Sequence, residues 1–321
     1  MRVFLISAHT NKKGVNMCTS LTFQTEDFYF GRNMDLDYHF GEGVVVTPRN
    51  YNLNYKHQKS EKTKYAIIGM ATIQDGFPLY AEGINEKGLC ISALNFEGNA
   101  CYGKPEPNAI NLAPYEIIPY ILSKCDNVEN ALKILKNLQI TSTPFNEKIG
   151  ISALHWHIAD KKCSITLEST KNGLQIYDNS TGVLTNNPPF DFHLKNLLLY
   201  NHLTPKIPHE KDISLGASLY GLPGDFSSPS RFVKLSILKR FVKCESDEKS
   251  SIAMLLRLML SVSPLKGTTL TKEGKEHYTT YTCIANATKG IYHYLSGTSC
   301  ELKSVRLHQH ANDEFFFNEP L

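Results

Sequence analysis

The sequence predicts an α+β fold in which helices are layered on antiparallel β-sheets. Short β-rich runs fill the N-terminal third of the chain, helical periodicity follows in the middle, and strand patterns return towards the end. Strands and helices that are grouped in this way favour a layered sandwich over alternating β-α-β units. No repeat, low-complexity tract or linker composition divides the 321 residues, so we expect one domain.

The N-terminal runs are separated by turn residues such as Glu86-Lys87-Gly88. Short runs that are bounded by turn signals are typical of hairpins in an antiparallel sheet. The predicted strands of this part cover 21–24, 28–31, 44–47, 65–71, 79–84 and 89–96. Later strand patterns cover 151–158, 163–168, 173–177, 278–285 and 290–295.

The middle of the chain changes to helical spacing. Residues 114–123 are apolar at the spacing of a helix face, and Asp126-Asn127 supplies an N-cap for a second helix. That helix carries a single apolar stripe, which consists of Val128, Ala131, Leu132, Leu135 and Leu138. A further helical pattern covers 252–260. These segments predict a helical layer on the sheets.

Composition and charge exclude several classes of protein. A hydrophobic content of 41% allows a large core, and a formal net charge of +3 gives no electrostatic footprint for nucleic acid. No apolar run reaches the roughly 20 residues of a membrane helix. The eight cysteines show no metal-ligand spacing, so we expect free thiols, no metal and no cofactor. These features together predict a soluble cytoplasmic protein.

The segment before Cys18 resembles a translated ribosome-binding site. Residues 12–16 can be encoded by a purine-rich stretch a few bases before the codon of Met17. If translation starts at Met17, removal of that methionine leaves Cys18 as the free N-terminus. We therefore expect residues 1–17 to be absent from the mature protein, as a mistaken start or a removed segment, and 18–321 to form the domain.

A free N-terminal cysteine is a catalytic unit in itself. Its thiol, with a pKa of about 8.5, and its α-amino group, with a pKa of about 8, lie within proton-transfer distance. The thiolate can attack a carbonyl while the amine moves the proton to the leaving nitrogen. Arg32 and Asp35 follow at the end of the second strand and offer a cation and a carboxylate for such a site. As an isolated pair they are better interpreted as a surface salt bridge.

Several motifs occur together in this chain, in a fixed order and at characteristic spacing. They are Met-Cys-Thr-Ser at 17–20, Phe-Gly-Arg-Asn-Met-Asp at 30–35, Asn-Glu-Lys-Gly-Leu at 85–89, Leu-Asn-Phe at 94–96, Leu-His-Trp at 154–156, Val-Leu-Thr-Asn-Asn-Pro at 183–188 and Gly-Leu-Pro-Gly-Asp-Phe-Ser-Ser-Pro-Ser-Arg-Phe at 221–232. In this order and spacing the chain resembles the choloylglycine hydrolase family from Cys18 nearly to its C-terminus. The resemblance implies a four-layer αββα sandwich of the N-terminal-nucleophile hydrolase type.

The resemblance also implies the roles of the residues near the N-terminus. Cys18 is the nucleophile and its α-amine the general base. Arg32 flanks the sulfur, and Asp35 accepts a hydrogen bond from the amine. By the same resemblance the enzyme cleaves linear amide C–N bonds without a cofactor.

Three further residues complete the site by resemblance. Asn186 lends its side-chain amide to the oxyanion hole, and the backbone N–H of Asn95 completes it. Arg231 holds the nucleophile region through polar contacts. From local sequence alone, the better interpretation is a turn asparagine for Asn186 and the start of a helix for Arg231. The histidines 155, 157 and 193 fit sheet or helix positions outside the chemistry.

The substrate class also follows from the resemblance. At the position of Asn95 the chain resembles the bile salt hydrolases of the family, which also carry asparagine there. Penicillin V acylases commonly carry an aromatic residue at that position. We therefore expect hydrolysis of glycine- or taurine-conjugated bile salts. Acylases of penicillin V or of N-acyl homoserine lactones remain the alternative, because they share the catalytic residues. A non-catalytic binding protein with Cys18 blocked by residues 1–17 is a second alternative.

A steroid requires a broad apolar wall. The residues that could supply it are Met34, Tyr38, Phe40, Ile140 and Phe145, although each of them equally fits the core. The expected partner is this small-molecule substrate, with neither nucleic acid nor membrane. A homo-oligomer is also expected, and a tetramer is possible. The stretch between Asn186 and Arg231 is shorter than in many relatives, where it pairs subunits, and this makes the tetramer less secure.

Overall fold

The computed structural model describes residues 17–207, 216–271 and 273–321. Residues 1–16 lie outside these ranges, so the expected absence of residues 1–17 from the mature enzyme stays a prediction. The described strands are β1 (Met17–Gln24), β2 (Phe28–Leu36), β3 (Gly43–Thr47), β4 (Asn52–Leu53), β5 (Glu61–Lys62), β6 (Ile67–Gln74), β7 (Phe77–Asn85), β8 (Cys90–Asn95), β9 (Ile110–Leu112), β10 (Leu138–Ile140), β11 (Leu154–Ala159), β12 (Ser164–Thr170), β13 (Gly173–Asp178), β14 (Val183–Leu184), β15 (Tyr278–Asn286), β16 (Ile291–Ser296), β17 (Lys303–Arg306) and β18 (Phe317–Pro320).

Two large antiparallel sheets organise these strands. One has six strands in the order β14-β1-β2-β15-β16-β17. The other has eight strands in the order β13-β12-β11-β8-β7-β6-β3-β18. Hairpins join sequence neighbours such as β1 with β2 and β6 with β7, as the turn signals predict. The predicted strand segments are confirmed.

The helices lie in the segments between the sheet strands. They are α1 (Ile117–Lys124), α2 (Val128–Leu135), α3 (Phe190–Leu198), α4 (Ser228–Phe241), α5 (Glu248–Leu260) and α6 (Leu307–His310), with a 3₁₀ turn at Pro114–Glu116. The predicted cap of α2 is confirmed, because the Asn127 side chain accepts a hydrogen bond from the Asn130 N–H. Leu138 is a correction: α2 ends at Leu135, and Leu138 lies in β10 opposite Ile110.

The packing has four layers. Helices α4 and α5 contact strands of the six-stranded sheet, and α1 contacts β7 and β8 of the eight-stranded sheet. Strand β3 shows how the layers are divided: Val44 and Val46 belong to the core shared with the six-stranded sheet, whereas Val45 belongs to the core under α1 and α2. This follows from the alternation of side chains along a strand. The αββα sandwich is confirmed.

The structure also describes the cysteines, the potential metal ligands and the exposed apolar residues. The eight cysteines are free thiols, and the part of the chain that the structure describes holds no group of three or more potential metal ligands. Within the same ranges, no helix has the length and apolar content needed to cross a membrane. Leu198, Leu199 and Tyr220 are exposed between Asn186 and Arg231. The oligomer stays a prediction.

Candidate active site

Cys18 lies on β1 of the six-stranded sheet, between the edge strand β14 and β2. It pairs with Met34 of β2 across the antiparallel ladder, and only 2% of it is exposed. The residue lines a cavity of about 300 Å³ that opens between the two sheets. A nearly buried thiol at the wall of a cavity meets any ligand that fills it. This placement fits a nucleophile better than a core cysteine.

Arg32 provides the cation beside this thiol. Its Nη2 donates to Cys18 Sγ over 3.2 Å and lies 3.5 Å from Met34 Sδ. Burial by itself would lower the pKa of Arg32, but the attraction of Cys18 and Glu82 outweighs burial and raises it. The guanidinium therefore stays charged beside the sulfur. The predicted position of Arg32 at the sulfur agrees with this geometry.

Arg231 and Asn186 bind the backbone of Cys18 through hydrogen bonds. Arg231, on α4, donates from Nη1 to the Cys18 carbonyl at 2.6 Å and also to the Thr19 hydroxyl. Its Nη2 donates to Asn186 Oδ1 at 2.9 Å. The same Oδ1 accepts the backbone N–H of Cys18 at 2.7 Å. Arg231 is fully buried, so these bonds compensate the loss of hydration of its charge.

Asn186 is fixed on every polar atom. Its backbone N–H donates to Ser228 Oγ at 2.8 Å, and its carbonyl accepts from His193 Nε2 at 2.8 Å. Its Nδ2 donates to the carbonyl of Asn95 at 2.9 Å. Burial lowers the pKa of His193 to about 4, so at neutral pH a neutral imidazole makes this bond. The structure thus brings Asn186 and Asn95 together through the Asn95 carbonyl, and their joint role as oxyanion-hole donors stays a prediction.

Asp35 lies one position beyond the Cys18–Met34 pair. Its Oδ1 accepts from the Thr279 hydroxyl at 2.6 Å, and its Oδ2 has no hydrogen-bond partner within the described ranges. Burial raises the pKa of Asp35 to about 6, against the opposing effects of Arg231 and Thr279. Met17 is its cross-strand partner. Directly opposed residues in such a pair have Cβ atoms about 5 Å apart. Asp35 therefore faces the residue that precedes Cys18.

The cavity is walled by apolar side chains and loops from both sheets. Three of the five predicted wall residues, Met34, Tyr38 and Phe40, line it. The others that surround it with Cys18, Arg32 and Asn95 are Leu36, Leu79, Tyr80, Ala81, Ala93, Pro114, Tyr115, Ile149, Gly150, Ile151, Ser152, Ala153 and Leu154. The segment 149–154 supplies much of the wall and is missed by the sequence analysis, because its apolar residues fit the start of the strand predicted at 151–158.

Ile140 and Phe145 are corrections to the predicted wall. Both belong to the core under α1 and α2, where Ile140 is 2% and Phe145 8% exposed. Ile140 lies in the small parallel pair of β9 and β10, and Phe145 packs edge-on against Tyr115. Their apolar character serves this core, and neither residue lines the cavity beside Cys18. An apolar residue in a loop carries no sign of which of two neighbouring spaces it fills.

Two buried histidines support the strands around the site. His155 bonds Glu168 at 3.0 Å through Nδ1 and the Thr185 carbonyl at 2.8 Å through Nε2. His157 lies within 2.7 Å of both Ser20 Oγ and Ser164 Oγ, and so ties β1 to β12. Burial lowers the pKa of His157 to about 3. Their predicted placement on a strand is confirmed.

His157 makes the stability of the protein sensitive to acid. Its folded-state pKa of about 3 lies below the ordinary value of 6.5, so the unfolded chain binds the extra proton. Its contribution is present above pH 6.5 and is lost as the pH falls towards 3, with a slope of at most about 1.4 kcal/mol per pH unit. We expect His157→Gln to be less stable at pH 7 and to lose less stability between pH 6.5 and 4.

Denaturant unfolding at pH 7, 6, 5 and 4 measures this slope. The exposed His308 offers a matched control, since His308→Gln should retain the slope of the unmodified protein. Equal acid slopes for His157→Gln and the unmodified protein would contradict the burial of a neutral imidazole.

Comparison with known proteins gives a consistent result. A sequence model of the family described as linear amide C–N hydrolases, choloylglycine hydrolase family, matches residues 18–314. The chain is 38% identical over 314 residues to a bile salt hydrolase/transferase from Lactiplantibacillus plantarum, covering 95% of this chain and 97% of that protein. It is 36% identical to a bile salt hydrolase/transferase from Clostridium perfringens, covering 92% and 94%.

Solved structures agree on the fold. A crystal structure of a variant of conjugated bile acid hydrolase from Clostridium perfringens superposes with a TM-score of 0.88 at 34% identity, covering 95% of this chain and 97% of that one. Penicillin V acylase from Agrobacterium tumefaciens superposes with a TM-score of 0.75 at 19% identity, covering 94% and 90%. At that identity the second likeness concerns the fold alone.

Proposed function

We propose, from the premise that the chain belongs to the choloylglycine hydrolase family of linear amide C–N hydrolases, that it hydrolyses glycine- or taurine-conjugated bile salts. The observation that carries the proposal is the Cys18 thiol, 3.2 Å from the Arg32 guanidinium at the wall of an apolar cavity. The relatives that are named for bile salts support the substrate class. The products are the free bile acid and the amino acid.

Cys18 acts as the nucleophile in this proposal. Its thiolate attacks the amide carbonyl, and the carbonyl oxygen becomes an oxyanion. The C–N bond then breaks, the leaving nitrogen takes the proton held by the Cys18 α-amine, and a thioester remains. Water, deprotonated by the same amine, hydrolyses the thioester and releases the bile acid with the free thiol. Atoms and charge balance without a cofactor.

The α-amine requires a chain that begins at Cys18. In such a chain the ammonium replaces the peptide link to Met17, the residue opposite Asp35. The Oδ2 of Asp35 would then accept a hydrogen bond, while Asn186 Oδ1 keeps the bond to the same nitrogen. A carboxylate and an amide oxygen together would orient the amine towards the thiol. This supports the role of Asp35 that the sequence predicts.

The oxyanion hole is proposed at Asn186 and Asn95. Asn186 Nδ2 donates to the Asn95 carbonyl, and both Asn95 and Cys18 line the cavity. An oxyanion formed beside Cys18 would compete for that N–H, with the backbone N–H of Asn95 as the second donor. Because every other polar atom of Asn186 is bonded, its amide needs little reorganisation to donate. Preorganised donors of this kind stabilise the transition state more than the substrate.

A substrate panel tests the acyl specificity. We expect kcat/KM for glycocholate or taurocholate to exceed that for penicillin V by at least about 10²-fold, because the apolar wall matches a steroid. Hydrolysis is measured as amine release, with Cys18→Ala as the blank. A preference for penicillin V or for an N-acyl homoserine lactone would replace the bile salt assignment and leave the nucleophile intact. No hydrolysis of any amide would favour a binding protein.

A further inference from the structure

A second buried carboxylate lies behind Arg32. Glu82, on β7 of the eight-stranded sheet, is 1% exposed and reaches across to the six-stranded sheet. Its Oε2 accepts from Arg32 Nη1 at 2.9 Å and from the Tyr281 hydroxyl at 2.9 Å. Its Oε1 accepts from the Tyr292 hydroxyl at 2.5 Å and contacts Cys283 Sγ at 3.6 Å. Both oxygens are therefore satisfied without water.

The neighbours of Glu82 act as donors. Burial raises the pKa of Tyr281 well above its ordinary value, and the charge of Glu82 raises it further. Burial likewise raises the pKa of Tyr292 and of Cys283, with Glu82 adding to both. Three protonated donors and one guanidinium surround the carboxylate. Such a set is suited to an ionised glutamate and leaves Arg32 as the cation paired with it.

Glu82 and Cys18 bind opposite corners of the same guanidinium. Arg32 Nη1 is held by Glu82 and by the Ala81 carbonyl, while Nη2 faces the Cys18 sulfur. The Nε of Arg32 has no hydrogen-bond partner in the described part of the chain. The orientation of Nη2 towards the sulfur therefore depends on the contacts of Nη1. The strongest of these contacts is the ion pair with Glu82.

We propose that Glu82 is a positioning residue for the nucleophile. Glu82 fixes Arg32 at the Cys18 sulfur and offsets part of the positive charge of Arg32. This rests on the proposed function only in taking Cys18 as the nucleophile. The charged groups around the sulfur are Arg32, Arg231, Asp35 and Glu82, together with the α-amine of Cys18 in a chain that begins at that residue. Glu82 acts on the sulfur through Arg32 and stays out of contact with substrate, so it tunes the thiolate without reacting.

The charge balance gives the direction of the effect. With Glu82 ionised, Arg32 is already paired with a carboxylate before the thiol loses its proton, so its guanidinium stabilises the buried negative charge of a thiolate less than an unpaired guanidinium would. Glu82→Gln keeps the shape and an acceptor for Nη1 but removes this competing charge. The thiolate then forms at lower pH. A thiolate that forms more easily is also a weaker nucleophile.

The experiment is alkylation of Cys18 by iodoacetamide as a function of pH. The rate is read by mass spectrometry of the peptide that carries Cys18, because Cys101, Cys163 and Cys300 are exposed and also react. For Glu82→Gln we expect the pH midpoint to fall by about one unit. The rate at the high-pH plateau should fall about threefold, as a Brønsted slope of about 0.4–0.5 requires.

Two further variants make the result specific. Glu82→Asp retains the charge but withdraws it by one methylene, so its midpoint should fall in the same direction by about a third as much. Asp160→Asn removes a carboxylate that is 8% exposed and bonds only backbone N–H groups among the described residues. It should lower thermal stability and leave the midpoint of Cys18 unchanged.

An unmoved or raised midpoint in folded Glu82→Gln would overturn the proposal. If that variant does not fold, the same outcome in Glu82→Asp would overturn it. A purely structural role would lower the melting temperature of both variants as in Asp160→Asn, with no change of midpoint. Alkylation needs no amide substrate, so a failure of the bile salt assignment leaves this measurement valid and distinguishable.

Discussion

Replacing Cys18 by serine is expected to lower turnover of a conjugated bile salt by at least about 10³-fold while the protein stays folded. A hydroxyl ionises far less than a thiol near neutral pH, and the α-amine is too weak a base to compensate. Arg32 Nη2 would still face the side chain, but it would meet a neutral oxygen in place of a thiolate. The loss should appear in kcat more than in KM, because the cavity wall is unchanged.

Turnover and far-UV circular dichroism on the same preparation measure this result. Cys90→Ser is the matched control, since Cys90 is a buried thiol on β8 that does not line the cavity. It should retain turnover close to that of the unmodified protein. Activity of Cys18→Ser within tenfold of the unmodified protein would rule out the thiolate mechanism.

The same mechanism fixes the N-terminus of the active protein. Mass spectrometry of active enzyme should find Cys18 as its first residue, because an acylated nitrogen cannot accept a proton. Material that retains residues 1–17 should be inactive. Full activity with that segment attached would remove the α-amine from the mechanism, whatever the outcome of the serine variant.

Asn186→Ala is expected to lower kcat by about 10²–10³-fold, or roughly 3–4 kcal/mol, with a smaller change in KM. Charge appears on the carbonyl oxygen only as the tetrahedral intermediate forms, so a donor aimed at it acts mainly in the transition state. The variant also leaves the Cys18 N–H and Arg231 Nη2 without their shared acceptor. We therefore expect an accompanying stability loss of about 1–3 kcal/mol.

The neighbouring asparagine separates the two effects. Asn187 bonds the Glu97 carbonyl and the Asn99 side chain, and does not contact Cys18 or Arg231 among the described residues. Asn187→Ala should lose stability by about 1 kcal/mol and keep its kcat on folded protein. If Asn186→Ala also lost stability and kept its kcat, Asn186 would be a turn residue without a catalytic role.

Local sequence was enough for most of the secondary structure. The β-rich runs of β2 and β3, the Asn127 cap and the turn at 86–88 depend on residues a few positions apart, and each is found where it is predicted. The stripe that was extended to Leu138 shows the limit of such patterns. An apolar residue at helical spacing also fits a strand, and only its pairing with Ile110 decides between them.

The candidate site required more than local pattern. Motif resemblance named Cys18, Arg32, Asn186 and Arg231, and these four residues meet through hydrogen bonds in the structure. Composition and periodicity could not have joined them, because Cys18 and Asn186 are 168 positions apart. The resemblance of the ordered motifs to a known family was what identified these distant residues as members of one site.

The sequence by itself determined the strands, the main helices, the family resemblance and the residues around the thiol. The tertiary structure alone decided that Glu82 stands behind Arg32, that His193 holds Asn186, and that Ile140 and Phe145 fill the core beside the cavity. The physical reason is that side-chain periodicity depends only on residues that are close together in the sequence. Contact across two packed sheets depends on strand order and register, which only the folded chain fixes.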